Sequence, residues 1–150
     1  MKIEFVENKD IEEWLKLVKE VEPIFGPMIG EVGFEEMIKT VIREKRAYCI
    51  RENKGKLCGV IVISLIKNEI EWFAVANDQQ GKGYGKALLS YAMENLDQNR
   101  PIIVQTFDAG VPQGTAARKL YEKMGFIEYE KAEKNPAGIP TVRLKQISSL

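Results

Sequence analysis

Apolar and polar positions along this chain change their period several times, and each change marks a new element. Residues 2–6 alternate as a short first strand. Asp10 stands ready to cap a helix whose apolar face is Ile11, Trp14, Leu15, Val18 and Val21, and Pro23, Gly26 and Pro27 read as its end. Phe34, Met37, Ile38, Val41 and Ile42 recur at helical spacing and predict a second amphipathic helix. Residues 47–51 read as a strand and Asn53-Lys54-Gly55-Lys56 as a polar turn. Residues 57–66 are almost continuously apolar and β-branched, which predicts a central strand buried on both faces. Lys67-Asn68 turns the chain into a strand over residues 69–76. After a glycine-rich loop, Leu88, Leu89, Ala92, Met93 and Leu96 form the core stripe of a third helix. Residues 101–107 read as a strand, 115–124 as a helix with Gly125 as its C-cap, and 126–131 and 141–145 as the last strands. No repeat, linker or low-complexity stretch interrupts the order β-α-α-β-β-β-α-β-α-β-β, so residues 1–150 read as one α/β domain.

The loop between the fourth strand and the third helix carries the strongest chemical signal: Gln80-Gly81-Lys82-Gly83-Tyr84-Gly85-Lys86. First-turn N–H groups of a helix have no intrahelical partner, and the helix dipole favours negative charge there. A glycine loop leading from strand to helix therefore points main-chain donors at a phosphate. Two common phosphate loops fail: in a Walker A reading Gln80 stands at the first glycine and Ala87 at the required Ser/Thr, and in a dinucleotide fingerprint Lys86 stands at the third glycine. The pattern Gln/Arg-x-x-Gly-x-Gly/Ala does fit, through Gln80, Gly83 and Gly85.

A second segment, Thr115-Ala116-Ala117-Arg118-Lys119-Leu120-Tyr121-Glu122-Lys123-Met124-Gly125-Phe126, follows in the expected order. Together the two motifs resemble the GNAT superfamily of N-acetyltransferases over roughly residues 58–131. The resemblance implies a mixed, mostly antiparallel central sheet of six to seven strands with helices on both faces. It also implies acetyl-coenzyme A (acetyl-CoA) as co-substrate. One position departs from the pattern: Gly114 stands where many members carry Asn, and no side-chain contact to the cofactor is carried over there.

Composition narrows the alternatives. Acidic and basic residues balance at 22 each, without the basic excess of a nucleic-acid binder. No apolar run is long enough to span a bilayer, and Met1-Lys2-Ile3-Glu4-Phe5 lacks the apolar core of a signal peptide. The chain has no His, and its two cysteines, Cys49 and Cys58, lack a metal-ligand spacing, so neither a structural metal nor His-dependent nucleophilic catalysis is expected. Both cysteines read as reduced, buried strand residues of a cytoplasmic protein, with a disulfide between them as the minor alternative.

Transfer of an acetyl group from sulfur to an amine needs a held pyrophosphate, a donor for the thioester oxygen, a route for the amine proton and a proton for the departing thiolate. The resemblance places the pyrophosphate on the N–H groups of Gly81, Lys82, Gly83, Tyr84 and Gly85. Gln80 shapes the loop, and Lys82 and Lys86 either add charge or are simply solvated. It places the cofactor arm along Phe73, Ala74 and Val75 and beside Ala117, with the oxyanion on the N–H of Val75 at a bulged part of the strand. It matches Tyr121 to the residue that donates to the leaving thiolate; plain packing is the alternative for a Tyr on that helix face. Glu69 and Glu71 lie on one strand face by alternation, and either could take the amine proton, unless both only shape the cleft. The acceptor, a small-molecule or peptide amine, would lie among residues 22–28, 107–112 and 135–140. There Glu22 and Asp108 offer charge, and Phe25 and Met28 offer apolar surface. Two other classes remain: a non-catalytic acyl-CoA-binding regulatory domain, and a nucleotide-binding α/β module. A homodimer through the last strands is compatible with the sequence.

Overall fold

The structure is a computed structural model and describes residues 2–52 and 55–147. Its elements run β1 (Lys2–Phe5), α1 (Ile11–Phe25), α2 (Phe34–Arg43), β2 (Ala47–Arg51), β3 (Leu57–Ser64), β4 (Glu69–Val75), α3 (Tyr84–Glu94), β5 (Ile102–Phe107), α4 (Thr115–Lys123), β6 (Phe126–Ala132) and β7 (Thr141–Gln146). The strands form one seven-stranded sheet in the order β1-β2-β3-β4-β5-β7-β6. Every neighbouring pair is antiparallel except β4 and β5, which run parallel. The expected mixed sheet with helices on both faces is therefore present. Asn53-Lys54, half of the expected polar turn, lies outside the described residues.

The unbroken apolar run of β3 follows from its place inside the sheet: all its residues are buried, with helices packed on either side. One core layer lies under α3 and α4 and gathers Ile61, Ile63, Ile70, Leu88, Leu89, Val104, Tyr121 and Leu144. The other lies under α1 and α2 and gathers Trp14, Val18, Ile38, Val41, Val60, Val62 and Ala74. Gly59 allows α3 to come this close. A Cβ there would stand 3.0 Å from both the Ala74 carbonyl oxygen and Leu88 Cδ1. The thiols of Cys58 and Cys49 belong to opposite layers, so no disulfide can join them, and burial pushes the Cys49 thiol up to about 11.

Local chemistry departs from the sequence pattern in four places. Asp10 precedes α1 but does not cap it; its carboxylate accepts the Glu7 N–H at 2.9 Å and pairs with Arg51, and Asp10 is almost wholly buried. Pro23 does not end α1. The helix continues to Phe25 and stops at Gly26, whose φ of +105° is left-handed and whose missing Cβ leaves room for Pro136. The buried stripe of α1 also includes Leu17. Finally, β3 ends at Ser64, and the exposed Leu65 and Ile66 begin a turn that closes on Asn68.

Asn68 sets where β4 and β5 meet. It is buried and left-handed (φ +53°), a conformation Asn tolerates better than most residues. Its side-chain amide donates to the carbonyls of Asp97 (3.0 Å), Arg100 (3.3 Å) and Pro101 (3.1 Å), and its side-chain oxygen accepts the Asp97 N–H (2.7 Å). Its own carbonyl accepts the N–H of Ile103 on β5. The start of β4 is thus sewn to the loop that feeds β5. Asn68→Ala strands these buried groups and is expected to cost about 3 kcal/mol. Urea unfolding should show a lower midpoint with an unchanged slope.

Candidate active site

The ladder between β4 and β5 contains only the pairs Glu69↔Ile103 and Ile70↔Val104, after which the strands part. β5 stays paired with β7 to its end at Phe107, and β4 stays paired with β3 to Val75. Residues 71–75 of β4 therefore have a free edge on the side that β5 has left. Alternation decides which groups face it. Ala76 donates to the Cys58 carbonyl at 2.8 Å, so Ala76, Ala74 and Trp72 direct their main-chain groups at β3. Phe73 and Val75 direct theirs at the opening. Gln80 confirms the direction, because its side-chain amide donates to the Val75 carbonyl at 2.8 Å.

This phase depends on a bulge. Val62 pairs with Trp72 and Ile63 with Ile70, leaving Glu71 as the extra residue on β4. Side chains show the same shift: Ile70 and Phe73 pack in the α3/α4 layer, whereas Trp72 and Ala74 pack in the α1/α2 layer. The bulge expected at Val75 thus lies four residues earlier in the chain.

At the open end the chain makes a short 3₁₀ turn, passes through extended Gln80, and enters α3 through Gly81 (φ +77°) and Gly83 (φ +84°). Both glycines are left-handed, and a Cβ on either would meet nothing within 4 Å. Open space therefore lies beside the loop at both glycines. Gly85 instead sits against the strand: a Cβ there would lie 3.6 Å from Phe73, Val75 and Leu120. Tyr84 packs its ring on the α3/α4 layer, Lys82 bends back to the Gln79 side-chain oxygen at 3.1 Å, and Lys86 is exposed. Ala117 and Tyr121 meet the same layer from α4. Tyr121 is 4% exposed, with its ring 6.3 Å from that of Phe73 and 5.4 Å from that of Phe126, and burial pushes its phenol well above the ordinary value.

The α1/α2 side of the opening is aromatic and acidic. Phe25 stands between Trp72 of β4 (6.0 Å between rings) and Phe107 of β5 (5.8 Å), spanning the two parted strands, and Trp14 backs Trp72 at 5.9 Å. Phe107 also explains Gly114: a Cβ at that residue would stand 2.6 Å from Phe107 Cβ. Asn135 holds the β6–β7 loop here by donating to the Ile24 carbonyl at 2.8 Å, and Asp108 donates its N–H to the Pro140 carbonyl. The three segments expected around the acceptor do converge. Glu22, however, has structural work: one oxygen accepts the N–H groups of Met28 (2.7 Å) and Ile29 (2.9 Å), which hold its carboxyl below the ordinary range. Asp108 accepts the Ala109 N–H at 2.7 Å.

The two candidate bases differ. Glu71 is ion-paired to Arg46 at 2.7 Å. Glu69 has its carboxyl raised by burial, with Glu71 adding to the shift and Lys67 and Arg143 opposing it. Arg46, Asn68 and Trp72 were not legible as site residues, because their partners lie far away in sequence and no local spacing marks them.

The match to a family model settles the class. "Acetyltransferase (GNAT) domain" covers residues 44–128, more than half of the chain. The chain belongs to the GNAT acetyltransferase family. On that footing it is an N-acetyltransferase, and the family uses acetyl-CoA. Solved GNAT structures share its fold. A ribosomal-protein-alanine N-acetyltransferase from Brucella melitensis superposes with a TM-score of 0.77 at 16% identity, covering 98% of this chain and 99% of that one. A GNAT-family acetyltransferase from Bacillus cereus gives 0.71 at 17% identity, covering 99% and 98%. A spermidine N-acetyltransferase from Vibrio cholerae gives 0.70 at 19% identity, covering 99% and 96%.

The glycines of this GNAT loop are not equivalent. Gly83→Ala must hold a side chain at left-handed φ and is expected to cost about 1–2 kcal/mol, whereas Gly85→Ala makes ordinary contacts and should stay within about 0.5 kcal/mol of the parent. Thermal unfolding of the two variants side by side checks this.

Proposed function

We propose that this chain moves an acetyl group from acetyl-CoA to a primary amine of a small molecule, a peptide N-terminus or a lysine, by direct attack through a tetrahedral intermediate. The observation that carries the reading is the free edge of β4, opening directly beside the left-handed glycine loop. The loop N–H groups from Gly81 to Gly85 and the first turn of α3 would hold the pyrophosphate. The outward main-chain groups of Phe73 would pair with the amides of the cofactor arm like an added strand, with Ala117 alongside; the Val75 carbonyl is held by Gln80 and its N–H is left for the reacting oxygen. As the amine nitrogen bonds to the thioester carbon, the carbonyl π electrons move onto oxygen, and the N–H of Val75 would stabilise this oxyanion until C=O re-forms and the C–S bond breaks, releasing the thiolate. Ala74, between them, contributes its side chain to the opposite core layer.

Tyr121 is assigned to the leaving thiolate. A thiol has a reference pKa of about 8.5. A phenol held well above its ordinary value keeps its proton, so it stabilises the nascent thiolate chiefly as a hydrogen-bond donor. Glu69 is assigned to the amine proton, directly or through water; its half-buried carboxyl makes no ion pair among the described residues, whereas Glu71 pairs with Arg46. Spermidine and a ribosomal-protein alanine, named for two similar structures, both offer amines and support an acceptor of that class. We place the protein in a single domain in the cytoplasm, a setting that suits two free buried thiols. Among the described residues no helix is long and apolar enough to cross a membrane. Pairing of two copies is assigned to edge strand β6, where Ile127 and Tyr129 are exposed.

Binding is tested by thermal stabilisation with acetyl-CoA, CoA, ATP and NAD. Acetyl-CoA and CoA are expected to raise the melting temperature of the parent but not of Gly83→Glu, which puts a carboxylate in the anion cradle; stabilisation by ATP or NAD alone would overturn the reading. Amine-dependent release of free thiol then separates an enzyme from a domain that only binds acyl-CoA. Tyr121→Phe should lower kcat by about 10²-fold while acetyl-CoA still stabilises the variant. Equal turnover would remove Tyr121 from the reaction.

The pH dependence follows from Glu69. A base acts in its deprotonated form, and burial raises the pKa of this carboxyl. Activity should therefore rise with pH through a value above the ordinary carboxylate range, and Glu69→Gln should remove that limb. An unchanged profile in Glu69→Gln would assign proton removal to water.

A further inference from the structure

The bulge at Glu71 has a dedicated holder. Arg46 lies just before β2, 25 residues from Glu71 in sequence. Its carbonyl accepts the N–H of Ile63 at 2.9 Å, and its Nη1 donates to the Ile63 carbonyl at 2.6 Å. The same Nη1 donates to Glu71 Oε1 at 2.7 Å, and Nε is held by Glu44 at 2.9 Å. Ile63 is the β3 residue at which the register shifts, and Glu71 is the residue that has no partner across it. Arg46 therefore grips both sides of the irregularity. The Arg46 side chain is 20% exposed, so these bonds are partly shielded from water.

The consequence reaches the opening between β4 and β5. Above the bulge Ile70 faces β5; below it Phe73 and Val75, rather than Trp72 and Ala74, face the free edge. Loss of the extra residue from its place would reverse that order, because a one-residue slip moves every group to the other side. The side chains would reverse with it, driving Trp72 out of the α1/α2 layer and Phe73 away from Tyr121.

We propose that Arg46 is a positioning residue for acyl transfer, fixing the β4 bulge through Ile63 and Glu71 so that the N–H groups of Phe73 and Val75 point into the opening. The proposal rests on the acetyl-transfer reading for its catalytic consequence, but not for the clamp itself. It gives Glu71 the role of an anchor. An anchor works as a hydrogen-bond acceptor, a role a neutral amide can fill; a base works through its proton affinity, which an amide lacks.

Two measurements on Arg46→Ala, Glu71→Ala and Glu71→Gln test it. The first is amide hydrogen exchange of the ligand-free protein, which needs no activity. Residues 71–76 should exchange faster in both alanine variants, with β5, β7 and α4 as in the parent, while Glu71→Gln protects residues 71–76 as the parent does. The second is steady-state transfer. Each alanine variant should lower kcat about tenfold or more, with a smaller change in KM for acetyl-CoA, because misplacement of the reacting groups is felt in the reaction step. Glu71→Gln should keep at least half of the parent kcat and retain the rising limb of the pH profile, displaced toward lower pH because the lost Glu71 charge was one contribution to the raised Glu69 carboxyl. Arg46→Ala and Glu71→Ala combined should cost no more than the worse of the two alone.

Unchanged exchange of residues 71–76 in the alanine variants would overturn the clamp. Glu71→Gln as inactive as Glu71→Ala would overturn the anchor role and make Glu71 the base. If Arg46→Ala does not fold, Glu71→Ala carries the test, since it removes only a partly exposed carboxylate. A parent without acetyl-CoA binding or transfer would overturn the proposed function instead, and the exchange measurement would still decide whether Arg46 holds the bulge.

Discussion

Two parallel strands that pair over two residues and then separate impose the main constraint on this molecule. Backbone N–H and C=O groups inside a protein need partners, and a sheet normally supplies them from strand to strand. Here β5 turns away to follow β7 after Val104, and the β4 edge beyond Ile70 loses its neighbour. Asn68 holds the root of this opening with four side-chain hydrogen bonds to the loop before β5. Such an edge is a template for another strand. In a cleft between helices, an extended ligand carrying amides can take that strand's place.

The surrounding structure serves the same opening from its two faces. On one face, α3 and α4 bring the glycine loop, Ala117 and Tyr121 against Phe73. On the other, α1 brings Phe25 between Trp72 and Phe107, and acidic side chains lie nearby. The bulge at Glu71 assigns residues to these faces, with Phe73 and Val75 on the α3/α4 side and Trp72 and Ala74 on the α1/α2 side. Close approaches are bought with missing side chains. Gly59 admits α3 to the sheet, Gly26 admits Pro136, and Gly114 admits Phe107. Gly114 therefore leaves the space its own side chain would take to Phe107 of β5.

Much of the fold and part of the site were legible in the chain itself. Helix and strand periods, the buried run of β3, the glycine loop and the Leu-Tyr segment are local patterns, because steric limits on φ and ψ and the burial of one face act over a few residues. Those patterns suffice for the order of elements, the family and the loop at Gln80 to Gly85. What they misplaced is also instructive. Asp10 has the residue type of a helix cap, yet Arg51 and Glu7 compete for its carboxylate. Pro23 has the look of a helix end, yet packing carries α1 through it to Gly26. Glu69 and Glu71 look alike along the strand, but only the fold gives one of them an arginine.

Tertiary structure alone decided the direction of the opening and the residues that wall its α1/α2 side. The free edge of β4 exists because β5, more than thirty residues later, pairs with it briefly and then follows β7. The register shift at Glu71 is held by Arg46 from before β2, and Phe25 reaches the opening from the end of α1. Each of these relations joins residues far apart in sequence, through contacts that leave no periodic trace. The sequence by itself determined which elements form and where the glycine loop between β4 and α3 lies, since those follow from short-range sterics and amphipathic patterning. Which main-chain groups face the opening, which of the two carboxylates meets Arg46 and what walls the α1/α2 side were decided by long-range packing, since only the folded chain brings those groups together.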